Sequence, residues 1–341
     1  MSEKNSVVIA DIVRRVQITP EKKILLNGKP ATPEFQNAYT SVPSNKMLFD
    51  MLQGVLYSHF YSNSNSQAAA QTNEQWFSET LAFTDTLATA NRSEERFDRG
   101  WAIQHIDMAG QITARKGNLV RILHPGEFLN DSGFGHKPVA GESVRIYCRK
   151  EHREPGTGFY YVFGNHPGED NHTQLVRLYF NIKPEGAALL VQEISTQLNQ
   201  YQLPFSFKCL NHPAWYTRRD SAVLYVEKRY SDMVFQLVTG IYNRLKKYME
   251  PSVPLFSKKL ARGLAFAENP LNEQESFGTH CCKMITQGMM AAFNKKIPHD
   301  KWVNEIKYAI EQVHHYPNWE QLYLNPGSVY PYRFPKFNEH T

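Results

Sequence analysis

The chain has 341 residues, of which 41% are hydrophobic and 13% aromatic. This length allows one large domain or two ordinary ones, and the composition is typical of a globular chain and excludes a disordered one. The formal charge of +5 at pH 7 is scattered along the sequence without a continuous basic run. The charge therefore does not favour nucleic acid as a partner, and an anionic substrate explains it as well.

The cysteines predict neither a zinc site nor a disulfide framework, because they show no CxxC spacing. Free thiols in a reducing cytoplasm account for them. The first residues, MSEKNSVVIADIVRR, are too polar for a signal peptide, and no apolar stretch reaches the length of a membrane span. We therefore expect a cytoplasmic protein that uses no metal or other cofactor and binds neither membrane nor nucleic acid.

Apolar residues at helical spacing predict a helical N-terminal region over residues 1–98. Residues 1–61 and about 74–89 carry that spacing, with several aromatic residues among them. The intervening SNSNSQAAAQT, residues 62–72, is typical of a flexible loop.

After this region the pattern changes to short β-rich runs separated by glycine and proline turns, which predicts a largely antiparallel sheet. A further strand, QLVRLYFNIK at residues 174–183, places Arg177, Tyr179 and Asn181 on one face and apolar side chains on the other. A polar face on an apolar strand fits a substrate-facing wall, and it equally fits an ordinary solvent-facing strand.

The stretch PFSFKCLNHPAWYTRRDSAVLYV, residues 204–226, consists of two β-type runs around a turn. If the runs pair as a hairpin, one small volume contains the side chains of Lys208, Arg218, Arg219 and Tyr225. Such a cluster suits an anion with several oxygens, above all a phosphate, because a guanidinium fork binds two oxygens at once. A solvated hairpin with ordinary surface charges gives the same pattern.

Further helices are predicted to begin at Pro184, near Asp232, near Ser276 and at Trp302, before an aromatic and proline-rich tail. His280 lies near the start of the third of these helices, where the helix dipole favours a nearby anion. It also fits a partly buried structural histidine. Glu268, in AFAENP, fits a general acid or base, or a loop carboxylate that orients an arginine.

The common catalytic motifs are missing from the sequence: it contains no glycine-rich phosphate loop, no HExxH and no GxSxG. What remains is a set of Lys, Arg, Tyr, Asn and His residues without paired carboxylates. This set suits a reaction in which an anion is held while a proton is removed from carbon. A lysine in a cationic pocket can act as the base near neutral pH, and arginines can neutralise a departing phosphate.

The chain resembles the HopA effector family, first named for a type III effector of plant-pathogenic bacteria, from about residue 48 to residue 293. The segments that carry the resemblance are ATANRSEERFDRGW (88–101), PGTGFYYVFGN (155–165), RLYFNIKPEGA (177–187), the hairpin stretch 204–226, and GLAFAENPLNEQESFGTH (263–280). Domains of this type also occur in gene clusters that make ribosomal peptides. There they look like lyases that follow a dedicated kinase and eliminate phosphate from Ser or Thr of a precursor peptide, which leaves dehydroalanine or dehydrobutyrine.

This chemistry is similar to that of the OspF and SpvC phosphothreonine lyases, which use a lysine base, a histidine acid and a ring of cations. The resemblance implies catalytic roles for Lys208, Tyr179, His280 and Tyr225, phosphate binding by Arg177, Arg218 and Arg219, and substrate binding by Asn181 and Glu268. The KxH strand of those lyases is not reproduced here, so the assignment of base and acid stays open. Lys208 is expected to be the base or a cation that polarises the carbonyl, and His280 or Tyr179 the acid.

Together these observations predict an α+β protein in which a helical N-terminal region packs on a mixed, largely antiparallel sheet with flanking helices. Residues 99–341 would form the α+β lyase-like catalytic domain. The expected function is a phosphoserine/phosphothreonine lyase in ribosomal peptide (lanthipeptide- or thioamitide-like) biosynthesis, with a phosphorylated precursor peptide and a separate Ser/Thr kinase as partners. The alternative is a non-catalytic, effector-like or peptide-binding interaction protein.

Overall fold

The computed structural model describes residues 4–31, 43–64, 73–133, 136–153, 158–168, 174–272 and 275–337. Its α-helices are α1 (Asn5–Arg15), α2 (Asn45–Leu56), α3 (Asn73–Ala90), α4 (Pro184–Gln200), α5 (Ser231–Leu245), α6 (Phe277–Asn294) and α7 (Trp302–Tyr308). The helices predicted to begin at Pro184, near Asp232, near Ser276 and at Trp302 are confirmed as α4 to α7. Among the described residues no helix combines the length and apolar character needed to cross a membrane.

The strands form antiparallel sheets. They are β1 (Val16–Ile18), β2 (Ile24–Leu26), β3 (Lys29–Pro30), β4 (Arg96–Ile106), β5 (Ile112–Lys116), β6 (Leu119–Leu123), β7 (Phe128–Asn130), β8 (Ser143–Cys148), β9 (Glu151–His152), β10 (Phe159–Phe163), β11 (Leu175–Phe180), β12 (Phe205–Leu210), β13 (Ala222–Glu227), β14 (Lys258–Ala261) and β15 (Leu264–Glu268). Within the described part of the chain, a seven-stranded sheet has the order β14-β15-β11-β13-β12-β10-β9, and a five-stranded sheet has the order β6-β5-β4-β8-β7. Strands β1 to β3 form a small third sheet.

The predicted hairpin is confirmed, because β12 and β13 pair with Ser206 opposite Tyr225 and Lys208 opposite Val223. The alternation in β12 sends Phe205 and Phe207 into the core beneath the sheet. A short 3₁₀ turn at Pro213–Trp215 lies between the two strands.

Helices cover both faces of the seven-stranded sheet. On one face α3, α4 and α5 pack against apolar strand residues such as Leu178 and Leu224. On the other face α1, α2, α6 and α7 pack against Tyr179, Val223 and Ala265. The predicted α+β class with flanking helices is therefore confirmed, and β11 is buried on both of its faces.

The N-terminal region is less helical than the sequence predicts. The helix predicted over about 74–89 is confirmed as α3, but β1 to β3 interrupt the helical stretch predicted for residues 1–61. Their β-branched and apolar residues alternate around a turn that contains Pro20, which favours strands over a continuous helix. Of the predicted loop at 62–72, residues 65–72 lie outside the described residues. The division of the chain at residue 98 stays a prediction.

Candidate anion-binding site

Three neighbouring strands of the large sheet place cationic and phenolic side chains on one face. Ser206 of β12 lies opposite Tyr225 of β13, which in turn lies opposite Arg177 of β11. Two residues further along the same strands, Val223 of β13 lies between Lys208 of β12 on one side and Tyr179 of β11 on the other. Because side chains opposite each other in a sheet share a face, these residues belong to one surface.

Two aromatic rings organise the cations of this surface. The Tyr225 ring has Arg177 Cζ 5.2 Å and Lys208 Nζ 5.8 Å from its centroid. The Phe159 ring has Lys208 Nζ at 4.4 Å and Arg218 Cζ at 5.7 Å. Each of these distances lies within the range of a cation–π interaction, so the rings hold the cations without neutralising them.

Arg218 already has an acidic partner. Its Nε and Nη2 each lie 2.9 Å from an oxygen of Asp220, and Nη2 also donates to the Tyr57 hydroxyl at 3.4 Å. Burial lowers the pKa of Arg218, but the hydrogen bonds and charge of Asp220 raise it further than burial lowers it. The charge of Arg218 is therefore balanced by Asp220, whereas Lys208 and Arg177 have no such carboxylate partner among the described residues.

Lys208 and Arg177 have no carboxylate within ion-pair distance among the described residues. Lys208 is half-buried, and its ammonium lies over the two rings described above. Arg177 is 6% exposed, and its Nε donates to Asn269 Oδ1 at 2.5 Å. Burial lowers the pKa of Arg177, but the Tyr179 and Tyr225 oxygens raise it above its ordinary value. A buried, charged guanidinium without an acidic partner is costly unless an anion binds nearby.

Tyr179 lies beneath this surface and is only 2% exposed. Its ring packs against Phe277 of α6, with ring centroids 6.2 Å apart. Its hydroxyl is buried without a hydrogen-bond partner among the described residues. Burial raises the pKa of Tyr179 to about 12, although the nearby Arg177 charge lowers it in part. The phenol therefore stays protonated at neutral pH and suits proton donation, not proton removal.

The described contacts of Arg219 lie away from this surface, contrary to the convergence predicted for the hairpin residues, and Asn181 contacts a neighbouring loop. Arg219 Nη1 donates to the Phe60 carbonyl oxygen at 2.8 Å, and the side chain lines a separate cavity beside Asn5. Burial lowers the pKa of Arg219. Asn181 follows the last residue of β11, and its Nδ2 donates to the Ser252 carbonyl oxygen at 2.9 Å. Both side chains thus hold neighbouring loops in place.

His280 belongs to a second polar cluster at the start of α6. Its Nδ1 lies 2.9 Å from Glu275 Oε2, and its Nε2 lies 3.2 Å from the Tyr316 hydroxyl. The His314 ring is next to it, with centroids 6.0 Å apart. The predicted position near a helix start is confirmed, and Ser276 caps that helix through the Thr279 amide. The described contacts of His280 therefore lie outside the Lys208 surface.

Glu268 anchors the chain's own C-terminal segment. The side chain is buried and lies 3.1 Å from the Lys228 ammonium. Its oxygens accept hydrogen bonds from Ser328 Oγ, the Tyr332 hydroxyl and the Asn325 amide. Glu268 is thus engaged by groups of the protein itself, and the substrate contact predicted for it stays a prediction.

A cavity of about 360 Å³ adjoins the surface at Tyr225, and the sequence patterns did not predict it. It is lined by residues of both large sheets, including Arg96, Arg121, Arg149, His166, Ser206 and Tyr225. The arginines come from segments that share no motif, and pairing of strands distant in sequence brings them together. Arg96 does lie within the family-like segment 88–101, which is the one sequence signal that pointed here.

Residues 153–315 match the sequence model of the HopA1 effector protein family. The predicted family resemblance is therefore confirmed for this region, which contains Lys208, Arg177 and Tyr225. Two solved structures to which the chain is similar are the effector proteins from Pseudomonas syringae pv. tomato strain DC3000 and Pseudomonas syringae pv. syringae strain 61. A search of the curated proteins found no match.

The first of these structures has 16% sequence identity and a TM-score of 0.46, and the alignment covers 85% of this chain and 93% of that one. The second has 14% identity and a TM-score of 0.46, and the alignment covers 95% of this chain and 98% of that one.

Proposed function

We propose that this protein is a phosphoserine/phosphothreonine lyase that eliminates phosphate from a precursor peptide phosphorylated by a separate kinase. The products would be dehydroalanine or dehydrobutyrine residues in a ribosomal peptide of the lanthipeptide or thioamitide type. One observation carries the proposal: Lys208 and the buried Arg177 flank Tyr225 on one surface, and neither has an acidic partner among the described residues. A dianionic phosphate would supply the missing negative charge.

In the proposed reaction the α-proton of the phosphorylated residue passes to Lys208 in its neutral amine form, or to a solvent water if the Lys208 ammonium instead polarises the carbonyl group. The electron pair left on Cα forms the Cα=Cβ bond while the Cβ–O bond breaks, and phosphate departs with the electrons of that bond. Arg177 and Arg218 stabilise the charge that develops on the phosphate. Because the α-proton of a peptide is only weakly acidic, stabilisation of the enolate-like transition state must supply much of the rate.

Three side chains are candidates for the proton donor in this scheme. The Tyr225 ring contacts both cations, and in this scheme its hydroxyl donates to the leaving oxygen. Tyr179 is protonated at neutral pH but is covered by Phe277, so its participation requires that this ring move. His280 acts as the acid only if its contacts with Glu275 and Tyr316 rearrange.

The test is elimination from a synthetic phosphothreonine or phosphoserine peptide, measured by mass spectrometry as loss of phosphoric acid. Lys208→Ala should lower the rate by about 100-fold or more, the range expected for a general acid or base. Lys183→Ala is the matched control, because Lys183 is an exposed lysine that is 3.9 Å from Glu250. Circular dichroism should show that both variants keep the fold.

Lys208→Arg separates the two roles of the lysine. Arginine keeps the positive charge but cannot take up a proton, because it stays protonated in proteins. An inactive Lys208→Arg variant indicates a base, and partial activity indicates a cation that polarises the carbonyl. Full activity of Lys208→Ala would remove the residue from the mechanism. A wild-type protein that binds the phosphopeptide without any mass change would refute the lyase and support a peptide-binding module.

A further inference from the structure

Asn269 reaches the candidate site from the residue that follows β15. Pro270 comes next in the chain, and a proline keeps the residue before it in an extended conformation. The Asn269 amide accordingly donates to the Leu175 carbonyl oxygen at 3.0 Å, beside the first residue of β11. The backbone of Asn269 is therefore held against the strand that carries Arg177.

The register of the two strands places the Asn269 side chain next to Arg177. Ala267 lies directly opposite Arg177, so Asn269, two residues further along, is its diagonal neighbour on the same face. Ala267 has a small side chain, which leaves room for the guanidinium to reach across the strand. The reach ends at Asn269, whose Oδ1 accepts the hydrogen bond from Arg177 Nε at 2.5 Å.

This hydrogen bond orients the guanidinium without adding a counter-charge. The acceptor is an amide oxygen, and the group on the other side of Arg177 is the Tyr225 ring, with its centroid 5.2 Å from Cζ. Asn269 engages Nε and not the terminal amines. The fork of Nη1 and Nη2 is thus the part of the guanidinium that suits two oxygens of one phosphate.

The C-terminal segment holds Asn269 in turn. Asn325 Nδ2 donates to the Asn269 carbonyl oxygen at 2.7 Å, and the Asn325 amide donates to Glu268 Oε2 at 2.7 Å. Asn269 is fully buried and Asn325 is 8% exposed. Because β15 ends at Glu268, these bonds fix the backbone from which the Asn269 side chain projects. A chain of hydrogen bonds therefore runs from Asn325 through Asn269 to Arg177.

We infer that Asn269 is a positioning residue for Arg177: its amide oxygen orients the guanidinium for an incoming phosphate, and Asn325 keeps Asn269 in place. The inference rests on the proposed function, because it takes this phosphate to be the leaving group of the peptide substrate. Asn269 acts through Arg177 and does not itself touch the substrate. A carboxylate at the same position would compete with the phosphate for the guanidinium, which is the physical reason for an amide.

The test follows the NMR signal of the Arg177 Nε–H group in protein labelled with ¹⁵N-arginine, and Arg177→Lys identifies this signal by its loss. In wild type the proton should exchange slowly with water, because it is buried and hydrogen-bonded. Asn269→Ala should speed the exchange by about tenfold or more, since a hydrogen bond of a charged group is lost. Asn325→Ala should change the exchange rate in the same direction by a smaller factor.

Asn199→Ala is the matched control. Asn199 is also an asparagine with two side-chain hydrogen bonds, from the Asn165 amide at 2.8 Å and to Ser93 Oγ at 3.0 Å. Its loss should leave the Arg177 signal unchanged. Circular dichroism checks the fold of each variant, and Asn325→Ala carries the test if the Asn269 variants do not fold, because it retains Asn269 itself.

Asn269→Asp separates orientation from charge. The carboxylate keeps an acceptor for Arg177 Nε, so the exchange should stay slow. Titration with inorganic phosphate, followed on the Arg177 signal, should nevertheless show at least about tenfold weaker binding than in wild type, because the guanidinium already has an anion. A residue that only stabilises the fold would not produce this combination.

Unchanged exchange in Asn269→Ala, or a change of equal size in Asn199→Ala, would overturn the inference. So would equal phosphate affinity of wild type and Asn269→Asp, or a wild-type Arg177 signal that does not respond to phosphate. The proposed lyase fails separately. A protein that eliminates phosphate although Asn269→Ala leaves the Arg177 signal unmoved is a lyase without this positioning residue. A protein that eliminates nothing, but whose Arg177 signal and phosphate affinity depend on Asn269, supports the inference without the lyase.

Discussion

Replacement of Glu268 by glutamine tests how the C-terminal segment is held to the sheet. Oε1 of this carboxylate accepts hydrogen bonds from Ser328 Oγ and the Tyr332 hydroxyl, both at 2.6 Å. Oε2 accepts one from the Asn325 amide at 2.7 Å. Lys228 Nζ lies 3.1 Å from Oε1, and Glu268 itself is 1% exposed. Every polar group around the carboxylate is therefore a donor.

Glutamine cannot satisfy these donors in either orientation of its amide. If the amide nitrogen replaces Oε1, it faces Ser328, Tyr332 and the charge of Lys228. If it replaces Oε2, it faces the Asn325 amide. A hydrogen bond to a charged group contributes about 1.5–3 kcal/mol, and removal of one partner of a buried ion pair costs about 3–5 kcal/mol. We expect Glu268→Gln to lower the free energy of unfolding by about 3 kcal/mol.

The loss of unfolding free energy in Glu268→Gln should depend on pH. Burial raises the pKa of Glu268, but the hydrogen bonds of Ser328, Tyr332 and Asn325 and the charge of Lys228 lower it below its ordinary value. A carboxyl group with a lowered pKa in the folded state stabilises that state above its unfolded pKa of about 4.3. This contribution disappears as the pH falls through the folded pKa. The difference between wild type and Glu268→Gln should be full at pH 7 and shrink toward pH 3.

Urea unfolding followed by tryptophan fluorescence measures the free energy at each pH. Hydrogen exchange should also increase in the segment around residues 325–332 in the variant, because its anchor is lost. Glu94→Gln is the control, since Glu94 is exposed. A variant within about 0.5 kcal/mol of wild type at pH 7, or one with the same deficit at pH 3 and pH 7, would refute the reasoning.

Two further predictions concern local environments. NMR titration of the His166 ring should give a pKa below 6.5, because burial and the Arg96 charge lower it. Arg96→Gln should therefore raise the pKa of His166. An unchanged His166 pKa in that variant would contradict the influence of the Arg96 charge. Gly288→Ala should destabilise the fold by about 1–3 kcal/mol, because its Cβ would overlap the backbone of Ile306. Gly240→Ala, with nothing within 4 Å of the added Cβ, should stabilise its helix by about 0.5–1 kcal/mol in thermal or urea unfolding. Equal effects at the two glycines would contradict the packing described for Gly288.

Local patterns predicted the elements of the candidate site well. The alternation of apolar and polar residues predicted β11 and β12 and the faces on which Lys208 and Arg177 lie, and a continuous apolar run predicted β13. It did so because successive side chains of a strand point to opposite faces whatever surrounds the strand. The positions of Pro184 and Ser276 gave two helix starts for a similarly local reason, since both residues act on the first helical turn.

The same patterns failed where side chains from distant segments decide the outcome. Arg218 and Arg219 are adjacent in sequence, yet one pairs with Asp220 and the other donates to the Phe60 carbonyl oxygen. The sequence left Glu268 open between a general acid or base and a loop carboxylate, and only the structure shows that the segment that follows α7 supplies its donors.

The sequence by itself determined which side chains of a strand share a face, such as Arg177 and Tyr179 in β11, because strand periodicity is a property of the local chain. The pairing of β11 with β13, which places Arg177 opposite Tyr225, belongs to the tertiary structure. Only the tertiary structure decided which of the cations keeps an acidic partner and what covers the polar face of β11. Helix α6, about 100 residues further along the chain, buries Tyr179, and the five-stranded sheet brings Arg96 and Arg149 to the neighbouring cavity. The physical reason is that charge compensation and burial depend on contacts between remote segments, which no local pattern encodes.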